Sequence, residues 1–123
     1  MNREITFRGK RVDNDEWVYG YLVEVVNYIT DRKATFIIEQ DTTYYYGEFT
    51  CAVDVKPETV GQFTGLCDKN GTKIFEGDIV YNGVFKAQVE FINGRFLPFG
   101  SDTFFADECE VIGNIYDNKE LLK

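Results

Sequence analysis

The feature that most constrains this chain is a hydrophobic period of two, punctuated by Asn-Gly pairs. Asn70-Gly71, Asn82-Gly83 and Asn93-Gly94 each supply the positive backbone angles that tight hairpin turns demand, because glycine has no Cβ and asparagine tolerates the left-handed region. Between such turns, a strand with one buried face alternates apolar with polar residues, since successive side chains point to opposite sides. In Val84 to Ile92, Phe85, Ala87, Val89 and Phe91 alternate with Lys86, Gln88 and Glu90. That spacing predicts one half-buried strand, turning back at Asn93-Gly94 through Arg95-Phe96-Leu97. Trp17 to Ile29 reads differently: Trp17, Tyr19, Tyr21, Val23 and Val25 fall on one side, Val18, Leu22 and Val26 on the other. A strand apolar on both sides wants both covered, by a second layer of the chain or by a neighbouring subunit.

Further strands are expected at Ala34 to Glu39, at Tyr44 to Val55 with a break at Gly47, and at Glu110 to Tyr116. The run Tyr44-Tyr45-Tyr46 is read as divided between core and solvent. Only the last residues read as helix: Asp117 with Glu120 three positions on resembles a capping arrangement for a turn carrying Leu121 and Leu122. Eleven Phe and eight Tyr among 123 residues suit pleated, half-buried surfaces, and the fold class expected is mostly β. Phe7-Arg8-Gly9 followed by Trp17-Val18-Tyr19-Gly20 is echoed by Phe63-Thr64-Gly65 followed by Ile74-Phe75-Glu76-Gly77, with a polar turn inside each copy. This reads as a repeated hairpin. It suggests two small antiparallel β subdomains, residues 1–57 and 58–123, within one compact domain, meeting near Lys56-Pro57-Glu58 and ending in a short C-terminal helical turn.

The segment from Pro57-Glu58-Thr59-Val60-Gly61-Gln62-Phe63-Thr64-Gly65-Leu66 through Asp68-Lys69-Asn70-Gly71 to Ile74-Phe75-Glu76-Gly77-Asp78-Ile79-Val80 resembles the YopX family of phage and prophage proteins. Phe7-Arg8-Gly9-Lys10 with Glu16-Trp17-Val18-Tyr19-Gly20-Tyr21-Leu22 at the start, and Val111-Ile112-Gly113-Asn114-Ile115-Tyr116-Asp117-Asn118 at the end, resemble the same family. Residues 27 to 50 carry none of the likeness, and Lys119 stands where the family typically has proline. The resemblance implies a β-rich fold, a phage or prophage origin and action in the cytoplasm of a bacterial host. It brings no catalytic residues. Glu76-Gly77-Asp78-Ile79-Val80 also looks like the start of the first strand in SH3-like barrels, so residues 58–123 are expected to be SH3-like, an analogy of fold that carries no function.

The chemistry is sparse. The chain has no histidine, hence neither the commonest general base at neutral pH nor the commonest zinc ligand. Cys51, Cys67 and Cys109 are odd in number and lack C-x-x-C spacing, so they are expected to be buried, reduced hydrophobes in a reducing cytosol. Asp68-Lys69-Asn70-Gly71 with Glu76 places glycine fourth and glutamate ninth, where an EF-hand loop needs them sixth and twelfth; a hairpin turn is the simpler reading. Glu76 and Asp78 are expected at a rim, not as an acid–base pair. Neither G-x-G-x-x-G nor the phosphate-cradling P-loop pattern occurs. No catalytic, cofactor-binding or metal-binding residue is therefore assigned. The N-terminus has no secretory h-region and no later run is long enough to span a bilayer.

Thirteen basic against twenty-one acidic residues give a formal charge of -8, which repels bare phosphate. The imbalance is uneven, because Arg3, Arg8, Lys10 and Arg11 face only Glu4 in the first eleven residues. The leading expectation is a non-enzymatic accessory protein that works by protein–protein contact, principally with copies of itself, with a host or phage protein as a further partner and no membrane. One alternative is an acidic DNA mimic that inhibits a host nucleic-acid-binding protein. Another is direct nucleic-acid binding through Arg8, Lys10 and Arg11, which the net charge disfavours.

Overall fold

The structure, a computed structural model, describes residues 5–39, 52–100 and 104–122. By packing, the chain divides into one unit over Ile5–Gln62 and a second from Phe63 onward. The first contains β1 (Phe7–Lys10), β2 (Trp17–Asn27), β3 (Arg32–Glu39), β4 (Ala52–Asp54) and the opening of β5 (Gly61–Cys67). The second holds the rest of β5, then β6 (Lys73–Phe75), β7 (Asp78–Tyr81), β8 (Lys86–Gln88), β9 (Glu90–Ile92), β10 (Arg95–Leu97) and β11 (Glu110–Asn114). The fold is mostly β and every ladder is antiparallel.

In the first unit the strand order is β4-β3-β2-β1, with the start of β5 beside β1. Phe7 lies opposite Gly20 and Lys10 opposite Trp17; Leu22 lies opposite Ile37, which lies opposite Val53. Opposed residues share a face, so this register gathers an apolar set: Val18, Ile37 and Val55 are buried, with Phe7, Leu22, Val53 and Val60 packed against them. β2 stops at Asn27, short of the expected Ile29. Its side-chain Oδ1 accepts the N–H groups of Ile29 (3.0 Å) and Thr30 (3.3 Å), an Asx turn that ends a strand whatever the hydropathy beyond it.

Two further asparagines act in the same way. Asn82 Oδ1 accepts from Val84 N (2.9 Å) and Phe85 N (2.7 Å) after β7. Asn114 Oδ1 accepts from Tyr116 N (3.0 Å) and Asp117 N (2.9 Å), so β11 ends at Asn114 rather than Tyr116. The C-terminal helical turn is a 3-10 turn over Lys119–Leu122. Asp117 is engaged there with Asn114 Nδ2 at 3.2 Å.

The second unit corrects the reading of Val84 to Ile92 as one strand. β8 pairs with β7 in a three-stranded sheet of order β11-β7-β8, whereas β9 pairs with β10 in a separate hairpin. Val89 is the pivot: its N–H donates to Asp78 O and its carbonyl accepts from Gly77 N, both at 2.8 Å. Its side chain is fully buried with Ile74, Val80, Phe99, Phe104 and Cys109. Phe85 and Phe91, expected to point inward with it, are exposed, because the ladder changes partner between them. Asn93-Gly94 does make the expected turn, with positive φ at both residues (54° and 81°) and Ile92 opposite Arg95.

The proposed repeat is two antiparallel pairs of different register. Phe7 faces Gly20, but Phe63 faces Phe75, not Gly77. Gly9 is packed against Val55 and Ile37, while Gly65 has φ +86° and open space around it. The sequence division at 57/58 lies before β5, and the packing division falls between Gln62 and Phe63 within that strand. Most of the expected strand from Tyr44 to Val55, including Tyr44-Tyr45-Tyr46, lies outside the described residues; its end is β4.

Candidate interaction surface

The strongest candidate for an interaction surface is the outer face of β2 and β3. Cross-strand pairing places Tyr21 beside Ile38, Val23 beside Phe36 and Val25 beside Ala34, with Ala52 of β4 beyond Ile38. On the opposite face Val18, Thr35 and Ile37 are buried, but Val26 is 44% exposed, and on the outer face Ile38 is itself buried. On the outer face Tyr19 is 47%, Tyr21 51% and Val25 52% exposed, although apolar strand residues gain most from cover. Val23, Val25, Phe36, Ile38 and Ala52 line a depression of about 380 Å³. A second depression, about 550 Å³, shares Val25 and Phe36 and reaches Arg32 and Lys33. Within the described residues the apolar pattern of β2 is thus covered on one side at Val18 and Leu22 but not at Val26, and the other side is left as an apolar trough over the buried Ile38.

At the Trp17 end of the same sheet the basic cluster is engaged internally. The Arg8 guanidinium lies 4.5 Å from the Trp17 ring centroid and Lys10 Nζ lies 5.5 Å from it, within cation–π range. Arg8 is only 5% exposed. Arg11 donates through Nε and a terminal nitrogen to both carboxylate oxygens of Asp13, each at 2.9 Å, a fork that raises the Arg11 pKa and lowers that of Asp13. Lys56 pairs with Asp15. These cations are arranged around a ring and around carboxylates. Arg3 lies outside the described residues.

Two buried carboxylates were missed as such by the sequence reading. Asp68 accepts three backbone N–H bonds, from Asn70, Thr72 and Val111, all at 2.9 Å. Asp78 is 2% exposed, and its Oδ2 accepts the Phe75 N–H at 2.8 Å, so it braces the β6–β7 turn and is not at a rim. For Asp68 the signal available in the sequence was aspartate two residues ahead of Asn70-Gly71, the position from which an Asx turn is made; Asp78, which accepts from a residue three positions back, had no such signal. Among the described residues no group of three or more His, Cys, Asp or Glu is placed to hold a metal ion, and no helix is long and apolar enough to cross a membrane.

The cysteines divide. Cys109 is buried and donates from Sγ to Ala106 O; burial, then the charge of Asp68, pushes its thiol pKa up to about 11. Cys67, expected to be buried, is exposed, because the β5–β6 register shifts between Phe63 and Cys67 and Gly65, Leu66 and Cys67 swing to solvent. Cys51 lies outside the described residues. Alkylation with iodoacetamide followed by peptide mapping is expected to modify Cys67 in the native protein, and Cys109 only as fast as the unit opens. Equal rates at both positions would contradict this placement.

Comparison with known proteins agrees with the β-rich fold. The family model described as YopX protein matches residues 6–123. No curated protein matches. Among solved structures, the chain is similar to the crystal structure of protein EF1440 from Enterococcus faecalis, at 27% identity and a TM-score of 0.60, over 99% of this chain and 100% of that one.

Proposed function

The chain belongs to the YopX family, and on that premise we propose that it is a non-enzymatic phage or prophage accessory protein of the host cytoplasm, acting by protein–protein contact and assembling with a second copy of itself through the outer face of β2 and β3. The observation that carries this reading is the exposed row of Tyr19, Tyr21 and Val25 beside an apolar trough. The β2–β3 ladder has eight residue pairs, about 26 Å in length at strand rise. With neighbouring strands it offers roughly 500 Å² per partner, the lower end of what a specific interface buries. A two-fold pairing of such faces suits micromolar self-association. The SH3-like character of residues 58–123 belongs to the same proposal, supported by the three-stranded sheet β11-β7-β8 and the positive φ of Gly77 just before β7.

Hydroxyl-radical footprinting over a concentration series tests the face directly. Tyr21 is expected to become protected as concentration rises, while Tyr28, 94% exposed in the β2–β3 turn, stays reactive. Unchanged labelling of Tyr21 would contradict the proposed face. A second reading, the acidic DNA mimic, is supported by the formal charge of -8. It predicts binding to a basic DNA-binding protein that weakens steeply with added salt.

A further inference from the structure

We propose that Asn93-Gly94 is a site of spontaneous deamidation, and that the fold protects the other two Asn-Gly pairs. In this reaction the backbone nitrogen of Gly94 attacks the side-chain Cγ of Asn93. An N–C bond forms, the bond from Cγ to the amide nitrogen breaks, and ammonia leaves carrying the proton from the Gly94 N–H. The cyclic imide then takes up water at one or other carbonyl, giving aspartate or isoaspartate. Water is the sole co-reactant and nothing is oxidised or reduced.

The three pairs share the same sequence chemistry, so structure must decide between them. In the first, the attacking nitrogen is engaged: Gly71 N donates to Asp68 O at 3.0 Å, inside a turn that the buried Asp68 carboxylate also holds through Asn70 N and Thr72 N. In the second, the electrophile is held: Asn82 Oδ1 accepts from Val84 N and Phe85 N, and Asn82 N donates to Phe85 O at 3.1 Å. Among the described residues, neither the Asn93 carboxamide nor the Gly94 N–H makes a hydrogen bond. The β9–β10 hairpin around it is two-stranded, and Glu90, Phe91 and Ile92 are all exposed. Such a hairpin opens at low cost, which lets Cγ reach the Gly94 nitrogen.

The product is not neutral for the hairpin. Isoaspartate routes the chain through the side-chain carbon and lengthens a two-residue turn, disturbing the register that holds the Phe91 and Phe96 rings 4.7 Å apart. Either product also adds one negative charge.

The test is to hold the full chain at mildly alkaline pH and 37 °C, sample over days, and map deamidated peptides by mass spectrometry, with isoaspartate methyltransferase as a second readout. Asn93 is expected to convert several-fold faster than Asn70 and Asn82 in the native protein, with the three rates converging in denaturant. Comparable native rates at all three pairs, or an unreactive Asn93 in native protein whose denatured form reacts, would overturn the proposal.

Discussion

Replacement of Gly20 by alanine is expected to destabilise the first unit by about 3–4 kcal/mol. A Cβ there would lie 2.0 Å from the carbonyl oxygen of Ile38, 2.8 Å from its carbon and 3.0 Å from Glu39 Cα. All three atoms are backbone of β3, which cannot rotate away as a side chain can. Gly20 is also paired on both sides, opposite Phe7 in β1 and Glu39 in β3, so retreat on one side disturbs the ladder on the other. Gly9 provides a contrast, because the nearest atoms to its added Cβ are side-chain atoms of Val55 and Ile37, at 3.1–3.3 Å, so a shift of a few tenths of an ångström accommodates it at a smaller cost than at Gly20. Gly71→Ala separates contact from backbone strain: nothing lies within 4 Å, but φ is +81°, and a cost of about 1 kcal/mol is expected. Urea unfolding at unchanged m-value reads all three. A Gly20→Ala midpoint equal to that of Gly71→Ala would contradict the account of close backbone approach.

Asp68→Asn is the second large effect. The Asp68 carboxylate satisfies three donors from two segments: Oδ1 holds Asn70 N and Thr72 N in the β5–β6 turn, and Oδ2 holds Val111 N in β11. Asparagine has one acceptor oxygen, so its NH₂ must face either Val111 N–H or the turn. A buried donor then loses its partner and meets another donor, at a cost of about 2–4 kcal/mol. The pH dependence has a definite sign. Burial pushes the Asp68 pKa up, but the bonds from Val111, Thr72 and Asn70, helped by Lys69, outweigh it, and the net shift is downward. A carboxyl with a lowered folded pKa contributes fully above its unfolded value, near 4, and loses that contribution as pH falls through the folded value. The stability gap between wild type and D68N is therefore expected to stay constant from pH 7 to about 5 and to narrow in more acidic solution. A gap that widens on acidification would contradict this.

The parts of the fold legible in the sequence were those written in backbone chemistry. Asn93-Gly94 makes its turn because few other residue pairs accept two successive positive φ values, and the mostly β class follows from the period of two. Strand ends were less legible, because Asn27, Asn82 and Asn114 end their strands by side-chain hydrogen bonds that hydropathy does not register. Val84 to Ile92 alternates in sequence but changes partner at Val89, which leaves Phe85 and Phe91 exposed; periodicity marks which residues alternate but not which strand they face. The candidate surface was half visible. Apolar residues on both sides of β2 demanded two covers, and the register with β3 shows which side the first unit supplies. That Asp68 and Asp78 are buried was hidden because the same letters serve exposed turns.

The central claim is self-association through the outer face of β2 and β3. Light scattering coupled to size exclusion, at micromolar to hundred-micromolar protein, tests it most directly when wild type is run beside a Tyr21→Glu, Val25→Glu double variant. Both positions are half-exposed, so the variant is expected to keep the fold. The account predicts a wild-type mass that rises toward twice 14.2 kDa and a variant that stays at the single-chain mass. Wild-type protein at 14.2 kDa throughout that range would contradict it.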